Sequence, residues 1–523
     1  MSNTSIFLIA TVACIPLLAL IPWVWRRMWN EASASHTSRF IKNSSIPIAA
    51  NLFGKVLDLG FAAITLRALG PTASGAWSFV ALITSMYLVT IVNWGLNDLT
   101  VREAAAHPDR APRLFGLSLS MRWLMAAFVT PLTLIAIWAL RDVMPPLSAG
   151  STLALWLLLA HLWPASTAAA VSASFQAAQR MEIPALVTVI ASITRTLVGV
   201  AVIWWLPDAD SRIVGMASVA LLTTLINAAV LWYLQQRLLF RAGPAWDWSM
   251  MRNLWMTAFP LLLNSLLLTV FFRFDAVILR SVAGDYALGL YDAAYKVISM
   301  TQIIPPYVVG ALFPLLAHRA VHDREALAPL VVRAVTVLQW LAWIGVVGVV
   351  FMADELIWTL GGTAYLPNAA NALRILIWYL PLSYITGVLQ YALLAVQQQK
   401  SITVAFVVAT VVNITGNLIL IPTYGALAAA AVTVLTEIAL MVAIWPTLRR
   451  VGLVLPWKAM GLASGCALSV IGIGWFMLQQ IPDAQLFVAA GAVTIMTGVA
   501  LYSQRHDAHV QRVWQRIQAR TTR

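Results

Sequence analysis

Charge is what this chain has least of. Of its 523 residues, 10% are Asp, Glu, Lys or Arg, against roughly 25% in a soluble globular protein. A water-surrounded globule of this length needs far more polar side chain to cover its core, so that class is excluded. Cysteine is nearly absent: Cys14 and Cys466 both lie in apolar runs, and neither a disulfide framework nor a CxxC pair exists. The seven histidines are scattered at no metal-ligand spacing, two of them (His506 and His509) in a basic tail. The sequence has no Walker-type phosphate loop, no GxGxxG after a strand, no GxSxG and no HExxH. A self-contained ATP-driven pump is thereby disfavoured, while coupling to an ion gradient stays open. No cofactor and no metal are expected.

What the chain does have is apolar length. Hydrophobic residues make up 61% of it, and a helix crosses about 30 Å of hydrocarbon with roughly 20 apolar residues. Fifteen such runs can be read, the first at 6–25 and the last at 484–502. Prolines inside them, such as Pro131, Pro164, Pro260, Pro305, Pro306 and Pro381, would break a soluble helix, but neighbouring helices in a bundle satisfy the freed carbonyls. The expected fold class is an all-α polytopic membrane protein.

The net charge of +13 is topological, because the charges fall between apolar runs; no nucleic-acid partner is expected. With Arg26, Arg27, Arg39 and Lys42 placed in the cytoplasm and the runs alternating, 23 of the 33 basic residues are cytoplasmic. Five are outside (Arg67, Arg141, Arg212, Arg280 and Arg374), and five lie within spans. This puts the C-terminus in the cytoplasm. The first run is unusual, since its positive charges follow it, whereas a cleavable secretory signal carries them in front. An uncleaved anchor with its N-terminus outside is expected; the alternative is a start assigned too far upstream. The functional core begins near Ser38.

Two segments six spans apart echo each other. Leu66-Arg67, a short loop and Gly75-Ala76-Trp77 match Leu279-Arg280, a loop one residue longer, and Gly289-Leu290-Tyr291. The loop Gln176-Ala-Ala-Gln179-Arg180 is echoed by Gln397-Gln398-Gln399-Lys400. An even number of spans gives both halves the same orientation, so the expectation is two parallel repeats about an axis along the membrane normal, with the site between them.

Ionisable side chains within spans cost about 2.5 to 3.5 kcal/mol each on insertion scales, so they usually face a cavity or a partner. Asn51, Lys55 and Asp58 fall at i, i+4 and i+7 on one helical face, and Asp292, Lys296 and Ser299 repeat that spacing. Arg195 is central in the sixth span, Arg273 lies with Asp275 late in the eighth, and Glu437 is central in the thirteenth. In one reading Lys55, Arg195, Arg273 and Lys296 line a cavity for an anionic group such as a diphosphate, which Arg meets with a fork and Lys as a point charge. Asp58, Asp275, Asp292 and Glu437 are then orienting partners or proton carriers. In the other, Lys55–Asp58 and Asp292–Lys296 merely neutralise each other. Arg122, near a cytoplasmic end, is expected to snorkel. Most of the 23 tryptophans, among them Trp23, Trp25, Trp204, Trp205 and Trp457, read as interfacial anchors. The tail from Arg505 to Arg523 reads as an amphipathic cytoplasmic helix or a solvated tail.

The segment Asn51-Leu-Phe-Gly-Lys55, continuing to Leu66-Arg67-Ala-Leu-Gly70-Pro71 and Gly75-Ala-Trp77-Ser-Phe79, resembles the opening of Wzx-type polysaccharide flippases. So do Asn93-Trp-Gly95-Leu96 and Arg102-Glu103. In the second half the resemblance is carried by Phe274-Asp275, by Gly289-Leu-Tyr291-Asp-Ala-Ala-Tyr295-Lys296 and by Leu312-Phe313-Pro314. Asn413, Asn417 and Ile421-Pro422-Thr-Tyr424-Gly425-Ala426 look like that family's turn between helices eleven and twelve. The resemblance covers roughly residues 38 to 450. It implies the multidrug/oligosaccharidyl-lipid/polysaccharide (MOP) exporter fold: two six-helix lobes (38–243 and 244–450) about a V-shaped cavity, with two C-terminal helices (451–503). The anchor and linker (1–37) and the tail (504–523) are additions. It further implies a multi-pass protein of the bacterial inner membrane that moves an undecaprenyl-diphosphate-linked oligosaccharide from the cytoplasmic to the periplasmic leaflet. Its partners would be that substrate, membrane lipids, a polysaccharide polymerase and other assembly proteins.

Two rivals remain. A cation-coupled multidrug exporter of the same superfold suits an acidic cavity better than one with this many cations. A membrane-embedded polymerase or ligase tends to carry a large outside loop with Arg and His. The longest outside segment here, about 353–371, has Asp354 and Glu355 but neither of those types. The chain is expected not to be an enzyme.

Overall fold

In lipid every backbone N–H and C=O must find its partner within the protein, which restricts spanning segments of this kind to helices. The computed structural model describes residues 36–142, 144–481 and 484–503, with side chains from residue 50; the run 6–25 and the basic tail lie outside the described residues. Among the described residues there is no strand. The helices are α1 (His36–Leu82), α2 (Val89–Asn93), α3 (Leu96–Ala106), α4 (Ala111–Ala139), α5 (Ala149–Ala177), α6 (Glu182–Trp205), α7 (Ala209–Leu238), α8 (Trp248–Thr301) and α9 (Ile304–His322). Then come α10 (Leu327–Gly361), α11 (Asn368–Leu376), α12 (Tyr379–Ala395), α13 (Gln399–Arg450), α14 (Trp457–Gln480) and α15 (Gln485–Ser503). A π-helical turn, Ile83–Leu88, joins α1 to α2.

Eleven helical stretches among the described residues are long and apolar enough to cross a membrane. Three of them are each interrupted by one glycine in the left-handed half of φ: Gly70 in α1 (φ 71°), Gly284 in α8 (φ 81°) and Gly425 in α13 (φ 54°). A side chain is strained there and glycine is not. Each interruption divides its stretch in two, so the eleven become fourteen spans, in agreement with the runs read from residue 46 onward. The protein is an all-α polytopic membrane protein.

The chain forms two compact units. The first runs to Asp292 and includes Leu360–Ala364; the second takes Ala293–Thr359 and the chain from Tyr365. In the first, Phe115 and Leu119 of α4, Val171 and Phe175 of α5, and Leu231 of α7 form one core cluster. The second is held around α10, α12 and α13, whose Val346, Val388, Leu393 and Ala409 are wholly buried.

The repeat expected from the sequence has a backbone counterpart. Gly70 (φ 71°, ψ 174°) and Gly284 (φ 81°, ψ −179°) adopt the same conformation. Superposing them, an offset of 214 residues, sets Pro71 on Asp285, Gly75 on Gly289 and Ser78 on Asp292. These segments also touch. A Cβ on Gly75 would lie 1.8 Å from the carbonyl oxygen of Asp285, and one on Gly289 would lie 1.8 Å from that of Pro71. Each contact is the other with the repeats exchanged, which is the signature of a two-fold relation. The Ser78 hydroxyl donates to Asp292 Oδ2 at 2.8 Å, so a residue meets its own repeat equivalent and the pseudo-axis passes between them. The second echo is real but registers differently. Gln179 (φ 56°) and Gln397 (φ 60°) take the same left-handed turn. The next residues close it alike, Arg180 N–H onto Phe175 O at 2.9 Å and Gln398 N–H onto Leu393 O at 2.9 Å. Arg180 therefore matches Gln398, not Lys400.

Two sequence expectations are corrected. The segment 353–371 is not an open loop, because α10 continues to Gly361 and α11 begins at Asn368. Arg122 does not snorkel: it is fully buried. Its Nε reaches Ser118 Oγ at 3.2 Å, its Nη2 reaches Asn97 Oδ1 at 2.8 Å, and its Nη1 bonds Asn93. It thereby spans the joint at Trp94 and Gly95, both left-handed, where α2 gives way to α3. The arginines that the charge count leaves outside are engaged locally. Arg212 bonds the carbonyls of Leu206 and Ala68 at 2.9 and 2.6 Å. Arg280 bonds Asp285 at 2.6 Å, and Arg374 pairs with Asp354. Trp204, Trp205 and Trp457 are exposed, as anchors should be.

The crossing at Gly75 makes a prediction. Gly75→Ala should force the helices apart and cost about 1–3 kcal/mol as overpacking, lowering Tm in detergent by several degrees. Gly54→Ala, in a helical position with nothing within 4 Å, should leave Tm unchanged or slightly raised. Equal Tm values for the two variants would contradict the close crossing.

Candidate functional site

The face Asn51, Lys55 and Asp58 of α1 lines a cavity of about 420 Å³ in the first unit. α5 contributes Ser172 and Gln176 to the same wall, and α6 contributes Thr188 and Ser192. The helical spacing thus gathers a polar lining from three apolar helices. Arg195, one turn beyond Ser192 on α6, reaches Asp58 Oδ1 at 2.6 Å. Both side chains of this pair are more than a third exposed (41% and 47%). Exposed pairs contribute about 0–1 kcal/mol, so Arg195 can leave Asp58 for another anion at little cost. Lys55 is exposed at the same cavity. The partner of Asp58 is Arg195 on another helix rather than Lys55.

The second cluster lies on the pseudo-axis and is dry. Arg273 Nη2 meets Asp292 Oδ1 at 2.8 Å, with side chains 12% and 4% exposed, and Asp292 also accepts from Ser78. Asp275, expected beside Arg273, turns elsewhere: it accepts from the Ala276 N–H at 2.7 Å and from the Tyr291 hydroxyl. A buried pair of this kind adds little net stability, but removing one partner strands the other and costs about 3–5 kcal/mol. This cluster is built to hold one geometry, whereas the Arg195–Asp58 pair is built to exchange.

Lys296 follows Asp292 by one turn of α8 and is half-buried in the second unit. Glu437, also in the second unit, is buried and accepts from the Thr386 hydroxyl. Beside it Asn413 Nδ2 donates to Thr436 Oγ1 and Asn417 Nδ2 to Asn413 Oδ1, both at 3.1 Å. The eight expected residues therefore fall into an exchangeable set (Lys55, Asp58, Arg195), an axial set (Arg273, Asp292, with Asp275 nearby in sequence), and two in the second unit. Sequence reasoning missed Ser78, Tyr291, Thr386 and the neutral wall of Gln176, Thr188 and Ser192. Ser78 could have been found by aligning the repeats on Gly70 and Gly284. The neutral wall carries no signal in one sequence.

Solved structures share this architecture. The lipid II flippase MurJ in an inward closed conformation matches with a TM-score of 0.70 at 13% identity, covering 88% of this chain and 100% of its own. An inward-facing multidrug resistance MATE family transporter of the MOP superfamily matches with a TM-score of 0.59 at 14% identity, over 79% of this chain and 98% of its own. A MOP superfamily transporter from Pyrococcus furiosus Vc1, described by a reverse polarity of its binding pocket, gives 0.54 at 14% identity, over 79% and 95%. At these identities the likeness establishes the fold, which is that of MOP superfamily transporters. A MatE family model covers residues 260–419. The model of the polysaccharide biosynthesis protein family matches residues 40–319, more than half of the chain. The chain belongs to that family. No curated protein matches it.

The contrast between the two ion pairs can be measured. Asp292→Asn should destabilise the detergent-solubilised protein by about 3–5 kcal/mol, since it removes the buried carboxylate charge that Arg273 and Ser78 meet. Asp58→Asn should change stability by less than about 1 kcal/mol. Thermal unfolding of both variants checks this; similar losses would show that the Asp58 pair is structural too.

Proposed function

We propose that this protein is an alternating-access flippase that moves an undecaprenyl-diphosphate-linked oligosaccharide from the cytoplasmic to the periplasmic leaflet of a bacterial inner membrane, for exopolysaccharide, capsule or O-antigen assembly. The observation that carries the reading is the two-fold crossing of α1 and α8, with Ser78 bonded to its own equivalent Asp292. Such a crossing gives two parallel repeats a common line about which to rock. The repeats are taken as 38–243 and 244–450, followed by 451–503, with the C-terminus in the cytoplasm.

The sign of the substrate follows from the exchangeable set. Lys55 and Arg195 carry two positive charges against the single carboxylate of Asp58, so an entering diphosphate can displace Asp58 from Arg195 and be held by a fork and a point charge. Ser172, Gln176, Thr188 and Ser192 offer neutral hydrogen-bonding groups to the adjoining sugar. Arg273 and Lys296 are the two further cations of this reading, with Asp275 and Asp292 of the same helix as their orienting partners. Glu437 serves as the coupling or orienting acid. No bond is made or broken, and no cofactor is needed. The partners in this reading are the lipid-linked oligosaccharide, bilayer lipid, a polysaccharide polymerase and other assembly proteins.

The MatE match keeps one rival in view, a cation-coupled multidrug exporter. Cations entering the Lys55 cavity would meet like charge, which disfavours it. In a strain lacking the protein, lipid-linked oligosaccharide should stay on the cytoplasmic leaflet, as read by its inaccessibility to an added periplasmic glycan probe. Lys55→Gln and Arg195→Gln should each restore less than about a tenth of the wild-type exposure, the effect of losing a charged hydrogen-bond partner of 1.5–3 kcal/mol. Normal exposure in the deletion strain, with redundant flippases removed, would overturn the proposal; drug hypersensitivity with normal exposure would favour the exporter.

A further inference from the structure

A second and larger cavity, about 900 Å³, lies in the first unit and is not used by the proposed transport site. Its lining is almost wholly apolar. One wall is the face Phe79, Ile83, Tyr87 and Ile91, ending at Trp94. This spacing of four stays on one side because the chain there passes through the π-helical turn Ile83–Leu88, whose wider turn takes up the extra residue. The opposite wall is α4 from Met125 to Leu140, and Phe274, Val277 and Arg280 of α8 close the cavity from the second repeat.

Three features define an occupant. First, the mouth is apolar: Phe128, Leu132, Trp138 and Trp156 line it while remaining 50–65% exposed, on helices long and apolar enough to cross a membrane. Second, the wall from Phe79 to Trp94 runs for about 22 Å at 1.5 Å per residue. That accommodates one acyl chain, two of which end to end make up the roughly 30 Å core. Third, one cation stands at the rim. Arg141 lies over the Trp138 ring at 5.2 Å and only 3.7 Å from the exposed Asp142, a loose pair that a phosphate can replace. Arg280, the other cation in the lining, is 1% exposed. It is committed to Asp285, to the Pro145 carbonyl and to the Phe79 ring.

We propose that this cavity is a binding site for one anionic phospholipid of the outer leaflet, with an acyl chain between α1–α2 and α4 and its phosphodiester at Arg141. A single cation held only by a loose, exposed pair with Asp142 suits the single charge of a phosphodiester that displaces that carboxylate. A long polyprenyl chain exceeds the roughly 22 Å of wall between Phe79 and Trp94. Because α8 completes the lining, the bound chain packs against both repeats, and its occupancy ties their outer seam to the composition of the leaflet.

The test uses full-length protein in phosphatidylethanolamine vesicles doped with phosphatidylglycerol that carries a photoactivatable group near the end of one acyl chain. Label should concentrate on residues 79–94 and 125–140. Arg141→Gln, an exposed change, should lower phosphatidylglycerol labelling about fivefold and lower labelling by a matching photoactivatable phosphatidylcholine, whose headgroup has no net charge, by less. Leu132→Trp, across the mouth, should lower both. Label spread evenly over the lipid-facing helices, or equal labelling of the Arg141→Gln protein by phosphatidylglycerol, would overturn the proposal. So would removal of the label by stoichiometric polyprenyl diphosphate, which would assign the cavity to the carried lipid.

Discussion

The rest of the first unit depends on two side chains that are missing. Where α1 and α8 cross, the carbonyl oxygens of Pro71 and Asp285 occupy the space that a Cβ on Gly289 or Gly75 would need, at 1.8 Å. Small residues let helix backbones approach this closely in lipid, where dispersion and polar contacts must replace the hydrophobic drive between helices. The crossing has consequences in both directions along the helices. One turn inward, it brings Ser78 onto Asp292, which fixes Arg273. At the outer end it sets Arg280 under the Phe79 ring and against Asp285. Widening the crossing by one methyl group would disturb all of these together, because they share the same two backbones.

The charges divide by what surrounds them. Arg273 and Asp292 are nearly dry, and the attraction between them is strong because little water screens it. Such a pair holds a geometry and is poorly suited to exchange. Arg195 and Asp58 are each more than a third exposed, the setting in which an ion pair contributes little. Among the described residues, then, the same residue types at similar depth in sequence terms do different work. The difference comes from the third dimension: Arg273 lies at a helix crossing, and Arg195 meets an Asp58 that lines a cavity.

This explains what one sequence could and could not reveal. The spans were legible because apolar length is a local property, and so was the short loop that holds Gly70; the turn at Gly425 came only with the family resemblance. Asn51, Lys55 and Asp58 could be placed on one face from spacing alone. Partner choice was not legible. Asp58 takes Arg195 from a helix 137 residues away, and Asp292 takes Arg273 and Ser78. Arg122 was misread for a related reason. Nearness to a span end implied snorkelling, but the acceptors Asn93 and Asn97 come from the joint at Trp94-Gly95, which only folding brings beside α4. The extent of α10 was missed because Asp354 and Glu355 broke the apolar run without breaking the helix.

Arg122 and Glu437 form an instructive contrast. Each is buried, and the partners that hold each of them are neutral oxygens: Ser118, Asn93 and Asn97 for the arginine, the Thr386 hydroxyl for the glutamate. Burying a charge without a counter-charge is costly in both cases. The two groups differ in how they can respond. A guanidinium keeps its charge and five donors whatever its surroundings, so Arg122 is committed to its carbonyl and hydroxyl cradle and pins the joint between α2 and α3. A carboxyl group can change its charge by exchanging a proton, or a cation can join it, when its surroundings change. Glu437 thus differs from Arg122 in being able to change its charge where it stands. On the same helix Asn413, Asn417 and Thr436 form a buried polar network of their own, in which the Asn417 carbonyl oxygen is left without a donor.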